Sequence, residues 1–245
     1  MNSTIEIMKN HISIRKFKDI PVSENIIQEI ILAGQNASTS NFAQAYSIIQ
    51  VDNKETRKVF YDITKSQDQV LNAPLFLVFV ADLERARKLT ELYEETVDVG
   101  SVEAFIISTV DTAIVAQNIM VAAESLGLGG VYIGGIRDNP VLISDILRLP
   151  KHTFPVFAMC LGYADETHEK KPRLPLEIIL KKEFYDDSNE GTLLKSFDEK
   201  IKAYYESRSL NQKSETWTRQ MATMFSRKLR PHMKAFLKDQ HLNLK

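Results

Sequence analysis

The stretch from Glu103 to Leu126 constrains the fold of this chain more than any other. Its apolar residues (Ile106, Ile107, Val110, Ile114, Val115, Ile119, Met120 and Val121) run round the whole helix rather than down one side. A helix apolar on every side must be enclosed, by lipid or by protein. A membrane span takes about 20 residues with few or no charges, whereas this stretch carries Asp111, Gln117, Asn118 and Glu124. It therefore reads as a buried central helix, either of a monomer or at the core of a dimer. Leu75 to Ala81 makes a matching demand: LFLVFVA follows Pro74 as an unbroken run of β-formers, the pattern of a strand buried on both faces.

Around these two segments the chain alternates short helices and strands. Ser23 caps a helix in which Ile26, Ile27, Ile30 and Ile31 keep helical spacing, with Val22 placed to staple Ile27 and Gly34 ending the run. Asn36 to Asn41 is a polar loop, Ala45 to Val51 a strand, and Asp52 to about Thr64 a helix. Asp82 caps a charged helix and Ser101 the long apolar one, which stops at Gly127. Val131 to Ile133 is a short strand, Asn139-Pro140 opens a helix up to Leu149-Pro150, and Val156 to Gly162 is a strand leading into a basic loop. Beyond Phe184 the texture turns to charged amphipathic helices, at Ser196 to Ser207, Ser214 to Arg227 and after Pro231. The order gives an α+β domain over 1–245, with a core at 1–183 and a helical C-terminal extension at 184–245.

Composition excludes several classes. With 31 basic against 32 acidic side chains there is no excess charge to neutralise a nucleic-acid backbone. One cysteine, Cys160, cannot form an internal disulfide and falls short of a structural zinc set, and the five histidines show no metal-ligand spacing. Met1 to Asn10 places Glu6 and Lys9 where a secretory signal would be apolar. A reducing, cytoplasmic setting is expected, with no membrane, metal or nucleic-acid partner.

Three constellations carry possible chemistry. In an extended segment His11, Ser13 and Arg15 share one face while Ile12 and Ile14 share the other, which makes a cradle for an anion; the alternative is a solvated edge beside two core isoleucines. Lys171-Pro172-Arg173 sets a rigid proline between two cations, as a second anion clamp or simply a soluble loop. Gly127 to Gly135 puts glycine pairs on both sides of a short strand, where backbone N–H groups can approach a ligand. It is not the dinucleotide fingerprint, which follows a strand and opens a helix.

These segments, with the Ser38-Thr39-Ser40-Asn41-Phe42-x-Gln44 loop, Gln67, AAESLGLGGVYIGG at 122–135 and Lys171-Pro172-Arg173-Leu174-Pro175, come in one particular order. In that order the chain resembles the oxygen-insensitive NADPH nitroreductase and flavin reductase group of the FMN-dependent nitroreductase superfamily. The resemblance runs from about Thr4 to the C-terminal helices with Tyr204-Tyr205 and Trp217. It implies an α+β homodimer with a central, mostly antiparallel sheet flanked by helices, and noncovalent FMN at the subunit interface. His11, Ser13, Lys171 and Arg173 would meet the FMN phosphate, and Arg15 the N1/O2 side of the ring. Thr39 and Gln67 would contact the ring or ribityl chain; Tyr132, Ile133, Gly134 and Gly135 would line the cofactor, with the Gly134 amide toward N5. Ser40 and Phe42 would face NADPH or the oxidant, and Arg208 and Lys213 the 2′-phosphate of NADPH. Two departures stand out: Ile12 where the family usually has arginine, and Thr39 where it often has serine.

The implied activity is ping-pong. NADPH delivers hydride to FMN, leaves, and is replaced by a small planar oxidant such as a nitroaromatic, a quinone or a free flavin. No side chain need act as a catalytic acid or base, because the cofactor carries the chemistry and the protein positions it. The alternatives are a dedicated FMN reductase serving a monooxygenase and a flavin-binding sensor with little turnover.

Overall fold

Proline at position 74 breaks the chain just before its most apolar run, and that run forms the middle of a sheet. The computed structural model describes residues 3–96, 98–207 and 215–242. In chain order the elements are α1 (Ser3–Lys9), α2 (Glu24–Gln35), β1 (Tyr46–Gln50), α3 (Lys54–Ile63), α4 (Asp68–Asn72), β2 (Leu75–Asp82), α5 (Glu84–Leu92), α6 (Val102–Ser125), β3 (Gly129–Ile133), α7 (Pro140–Ile146), β4 (Thr153–Gly162), α8 (Leu176–Ile179), α9 (Glu190–Ser207), α10 (Trp217–Phe225) and α11 (Met233–Asp239). They divide into two compact units, residues 1–168 with 230–245, and residues 169–229.

The first unit is an α+β body on a four-stranded antiparallel sheet in the order β1-β2-β4-β3. Alternation along β2 explains its unbroken hydrophobicity. Leu75, Leu77 and Phe79 join a cluster with Ile27 and Ile30 of α2 and Val115, Ile119 and Met120 of α6. Phe76, Val78 and Val80 face the other way, onto Phe60 of α3, Val70 of α4 and Ile143 of α7. The apolar helix α6 thus lies against β2 and α2, and one side of it goes into this core. Among the described residues it is the one helix long and apolar enough to cross a membrane.

Local signals mostly land where the sequence puts them. Ser23, Ser101 and Asn139 each accept a backbone N–H at the start of their helices. The Asp82 carboxylate accepts the N–H groups of Glu84 and Arg85, although Asp82 itself ends β2. Gly34 is a correction. It does not end α2 but lies buried inside it, where a Cβ would come 2.5 Å from Cγ1 of Ile119; the glycine allows α2 and α6 to approach closely. The helix expected from Asp52 starts instead after Asn53, whose side chain accepts from Thr56 N–H. The one expected up to Leu149 stops at Ile146.

The boundary between units falls at 168/169 rather than at 183/184. Leu174 packs with Phe197, Ile201 and Tyr205 of α9, so the basic loop goes with the helices that follow it. The return at residue 230 has an equally local cause: Phe236 and Leu237 of α11 and Leu242 pack with Ala81, Phe154 and Val156 of the sheet.

Candidate functional site

The N-terminal segment is held on the edge of the sheet by β3. Ser13 bridges Gly130 in parallel, and Ile14 N–H donates to the Gly130 carbonyl at 3.0 Å. A Cβ on Gly129 would come 2.6 Å from Cγ1 of Ile14, so the first glycine pair lets this segment seat. Ile14 is buried and Arg15 exposed, as the alternation requires. Two carboxylates that the sequence reading leaves without a role fix the ends of the segment. Glu124 of α6 takes Nδ1 of His11 at 2.5 Å, so a ligand would be met through Nε2. Glu166 accepts the backbone N–H groups of Arg15 at 2.6 Å and Lys16 at 3.1 Å, and pairs with His168 at 3.0 Å. These two N–H bonds and His168 hold the Glu166 carboxyl below its ordinary pKa although burial opposes them. The Arg15 guanidinium donates to the Ser13 carbonyl of its own segment at 3.4 Å.

The loop carrying Thr39, Ser40 and Phe42 is tightly wound. Ser40–Phe42 forms a single 3-10 turn, and Asn41, Phe42 and Gln44 all have left-handed φ values of 48°, 59° and 49°. Thr39 Oγ1 accepts from Gln44 N–H at 3.4 Å. Asp111 of α6 accepts from Ser40 N–H at 2.9 Å and Ala45 N–H at 3.2 Å. Phe42 is 80% exposed.

Gln67 and the second glycine pair come together. A Cβ on Gly135 would lie 3.1 Å from Nε2 of Gln67 and 3.2 Å from Thr64. Gln67 donates to the Thr64 carbonyl at 3.0 Å and accepts from Gln69 at 2.8 Å. Its amide therefore keeps one hydrogen and one lone pair for a ligand. Gly134 begins a short 3-10 turn directly after β3. Tyr132 and Ile133 commit their side chains elsewhere: Tyr132 donates to Gln117 at 3.2 Å and packs edge-on against Phe157, and Ile133 is in the core. Burial, with a smaller push from the Glu124 charge, raises the Tyr132 phenol pKa. What these two residues can present is backbone.

In the second unit Lys171 donates to Tyr205 OH at 3.0 Å and lies over its ring, and Arg173 donates to the Lys171 carbonyl at 2.8 Å. With Leu174, Phe197 and Trp217 they line a cavity of about 400 Å3. Tyr205 is what orients the lysine. Arg208 and Lys213 lie outside the described residues. Among the described residues no group of three or more His, Cys, Asp or Glu could hold a metal ion. Cys160 is buried in β4, and burial raises its thiol pKa.

The donor set fits FMN. In the first unit the exposed Arg15, the Ser13 hydroxyl and the His11 edge suit a phosphate or a ring oxygen, and in the second the exposed Arg173 suits an anion. Glycine at 135 makes room for Thr64 and Gln67, which sets the Gln67 amide against the Gly135 backbone.

Known proteins carry similar sequences. The model of the Nitroreductase family matches residues 8–163, and that of the Nitroreductase family, C-terminal domain, matches 171–245. The chain is 38% identical over 242 residues to an NADPH-flavin oxidoreductase of Vibrio harveyi, covering 99% of each chain. It is 38% identical over 240 residues to the oxygen-insensitive NADPH nitroreductase of Salmonella typhimurium, covering 98% of each. The solved structure of an NADPH:FMN oxidoreductase from Vibrio harveyi complexed with NAD+ superposes with a TM-score of 0.90 at 35% identity, over 98% of both chains.

Proposed function

The chain belongs to the nitroreductase family, and on that premise we infer that it is an NADPH-dependent oxidoreductase working through noncovalent FMN. The observation that carries the reading is full-length similarity to NADPH flavin oxidoreductases and nitroreductases, joined to a donor set that suits the cofactor. FMN, when bound, takes hydride from NADPH and passes two electrons to an oxidant. Nitroaromatics, quinones and free flavins are the oxidant class, each entering after NADP+ has left the same face.

The chain's own residues do the positioning. Ser13 and the Nε2 edge of His11, with Lys171 and Arg173, are assigned to the phosphate. Glu124 orients the imidazole and Tyr205 the ammonium. Arg15 is assigned to the N1/O2 edge. Its backbone is pinned by Glu166, which fixes the point from which its positive charge reaches the edge where hydride transfer adds negative charge. Gln67 and the Gly134-Gly135 backbone are assigned to the ring, Thr39 to the ring or ribityl chain, and Ser40 and Phe42 to the exchanging substrates. Arg208 and Lys213 are assigned to the 2′-phosphate of NADPH, where lysine keeps the charge without arginine's planar fork. We place the reaction in the cytoplasm, where NADPH is at hand, and the working form as a homodimer.

The purified protein should be yellow. NADPH should bleach its flavin absorbance under argon, and a quinone should restore it within the mixing time while air restores it slowly. Absorbance that NADPH leaves unchanged would make the protein a flavin-binding sensor instead.

A further inference from the structure

Asp111 presents a problem that the fold alone does not solve. It lies midway along the most apolar helix, fully buried, with Thr112, Val115 and Ala116 beside it. Among the described residues no Lys, Arg or His pairs with it. A buried carboxylate without a cation is costly unless hydrogen bonds replace the lost water, and an apolar side chain would serve packing better at this place. The bonds it does make are specific. Oδ1 accepts from Ser40 N–H at 2.9 Å and Oδ2 from Ala45 N–H at 3.2 Å. One carboxylate thus ties both ends of a six-residue loop to the central helix.

The loop needs tying. Three of its non-glycine residues, Asn41, Phe42 and Gln44, hold left-handed φ values, which persist only where surroundings enforce them. Two further bonds act at the C-terminal end, where Arg85 donates to the carbonyls of Gln44 at 2.9 Å and Tyr46 at 3.4 Å. At the Ser40 end the Asp111 bond is the one that reaches from the loop to α6.

We infer that Asp111 is a positioning residue for the reaction: by clamping Ser40 and Ala45 it fixes Ser40 and Phe42 on the face where NADPH and the oxidant exchange. The inference rests on the oxidoreductase reading above. It is a role for a residue that touches neither cofactor nor substrate.

The test is Asp111→Asn in the holoenzyme. An amide has one accepting oxygen, so one of the two N–H groups loses its partner whichever way the side chain turns. The expected result is unchanged flavin content and midpoint potential, kcat within about twofold of wild type, and KM for both NADPH and a quinone raised about tenfold. A KM rise at constant kcat marks lost substrate positioning rather than lost chemistry. Both KM values within twofold of wild type, with or without a lower melting temperature, overturn the inference and leave Asp111 as a core residue. A wild-type holoenzyme that does not turn over NADPH would refute the oxidoreductase reading instead. Should the variant not fold, amide exchange in the wild type decides. Ser40 and Ala45 N–H groups are expected to exchange at least about tenfold more slowly than that of Asn41, and equal rates overturn the clamp.

Discussion

Glu84 shows how much a single side chain can carry away from the site. Its carboxylate receives Arg87 through Nε at 2.6 Å and Nη2 at 2.8 Å, and lies 3.2 Å from Nδ1 of His152. The Arg87 hydrogen bonds, helped by His152 and opposed by burial, lower its pKa from 4.5 to about 2. A carboxylate with a depressed folded pKa contributes stability that is complete above its unfolded value and is lost as pH falls through the folded one. Glu84→Gln should therefore cost about 2 kcal/mol near neutrality, read as a lower thermal midpoint. The gap from wild type should narrow as pH drops below about 4.5 and close near pH 2. A gap that stays constant down to pH 2 would show that the ion pair is not its source. Contacts of this kind are where sequence reading stops. His11, Ser13 and Arg15 are legible because alternation in an extended segment is a local rule. Their anchors are not: Glu124 lies 113 positions from His11, and Glu166 lies 151 from Arg15. His168, which pairs with Glu166, lies only two positions from it but far from the segment that Glu166 anchors. A usable signal did exist for Asp111 and Glu124, since a carboxylate inside an otherwise apolar helix has to find a partner.

Elements were more legible than contacts, because their signals lie within a few residues. Strand β2 and helix α6 announce themselves by apolar runs, and α2, α6 and α7 by their caps. The two helices α4 and α8 have five and four residues, too few to show a 3.6-residue period. Helix α9 begins at Glu190 rather than Ser196, because a serine inside a helix looks from sequence like a cap. Gly34 shows the same ambiguity between ending a helix and fitting a neighbour, and substitution separates the two. Alanine inside a helix gains about 1 kcal/mol over glycine in propensity, while overpacking a core costs about 1–3 kcal/mol. With a Cβ only 2.5 Å from Cγ1 and 2.8 Å from Cδ1 of Ile119, the second effect should win. Gly34→Ala should destabilise by about 1 kcal/mol in urea unfolding, and in an Ile119→Ala background the same change should be neutral or stabilising. Equal effects in both backgrounds would mean that Gly34 is not making room for Ile119 at this crossing.

At the scale of the whole molecule, helix α6 has one side that the described residues leave partly uncovered. Val102, Ile106, Val110 and Ile114 recur every fourth residue, so they form one stripe, and they are 39% to 46% exposed. The opposite side, with Val115, Ile119 and Met120, is fully buried. A long helix that is core on one side and an apolar stripe on the other fits a second copy of itself across a two-fold axis, since a symmetric interface needs a self-complementary patch. In such a dimer the helix would serve two surfaces, which would account for its being apolar all round. The wild-type protein should therefore sediment as a dimer at low micromolar concentration with flavin bound. Ile106→Asp with Val110→Asp sets two charges in the stripe without touching the buried side. That variant should sediment as a monomer, or aggregate, and lose flavin on dialysis, since a folded monomer is not expected to be stable. A flavin-loaded wild-type monomer would overturn the dimer, and a double variant that remains dimeric would move the interface to another face of the chain.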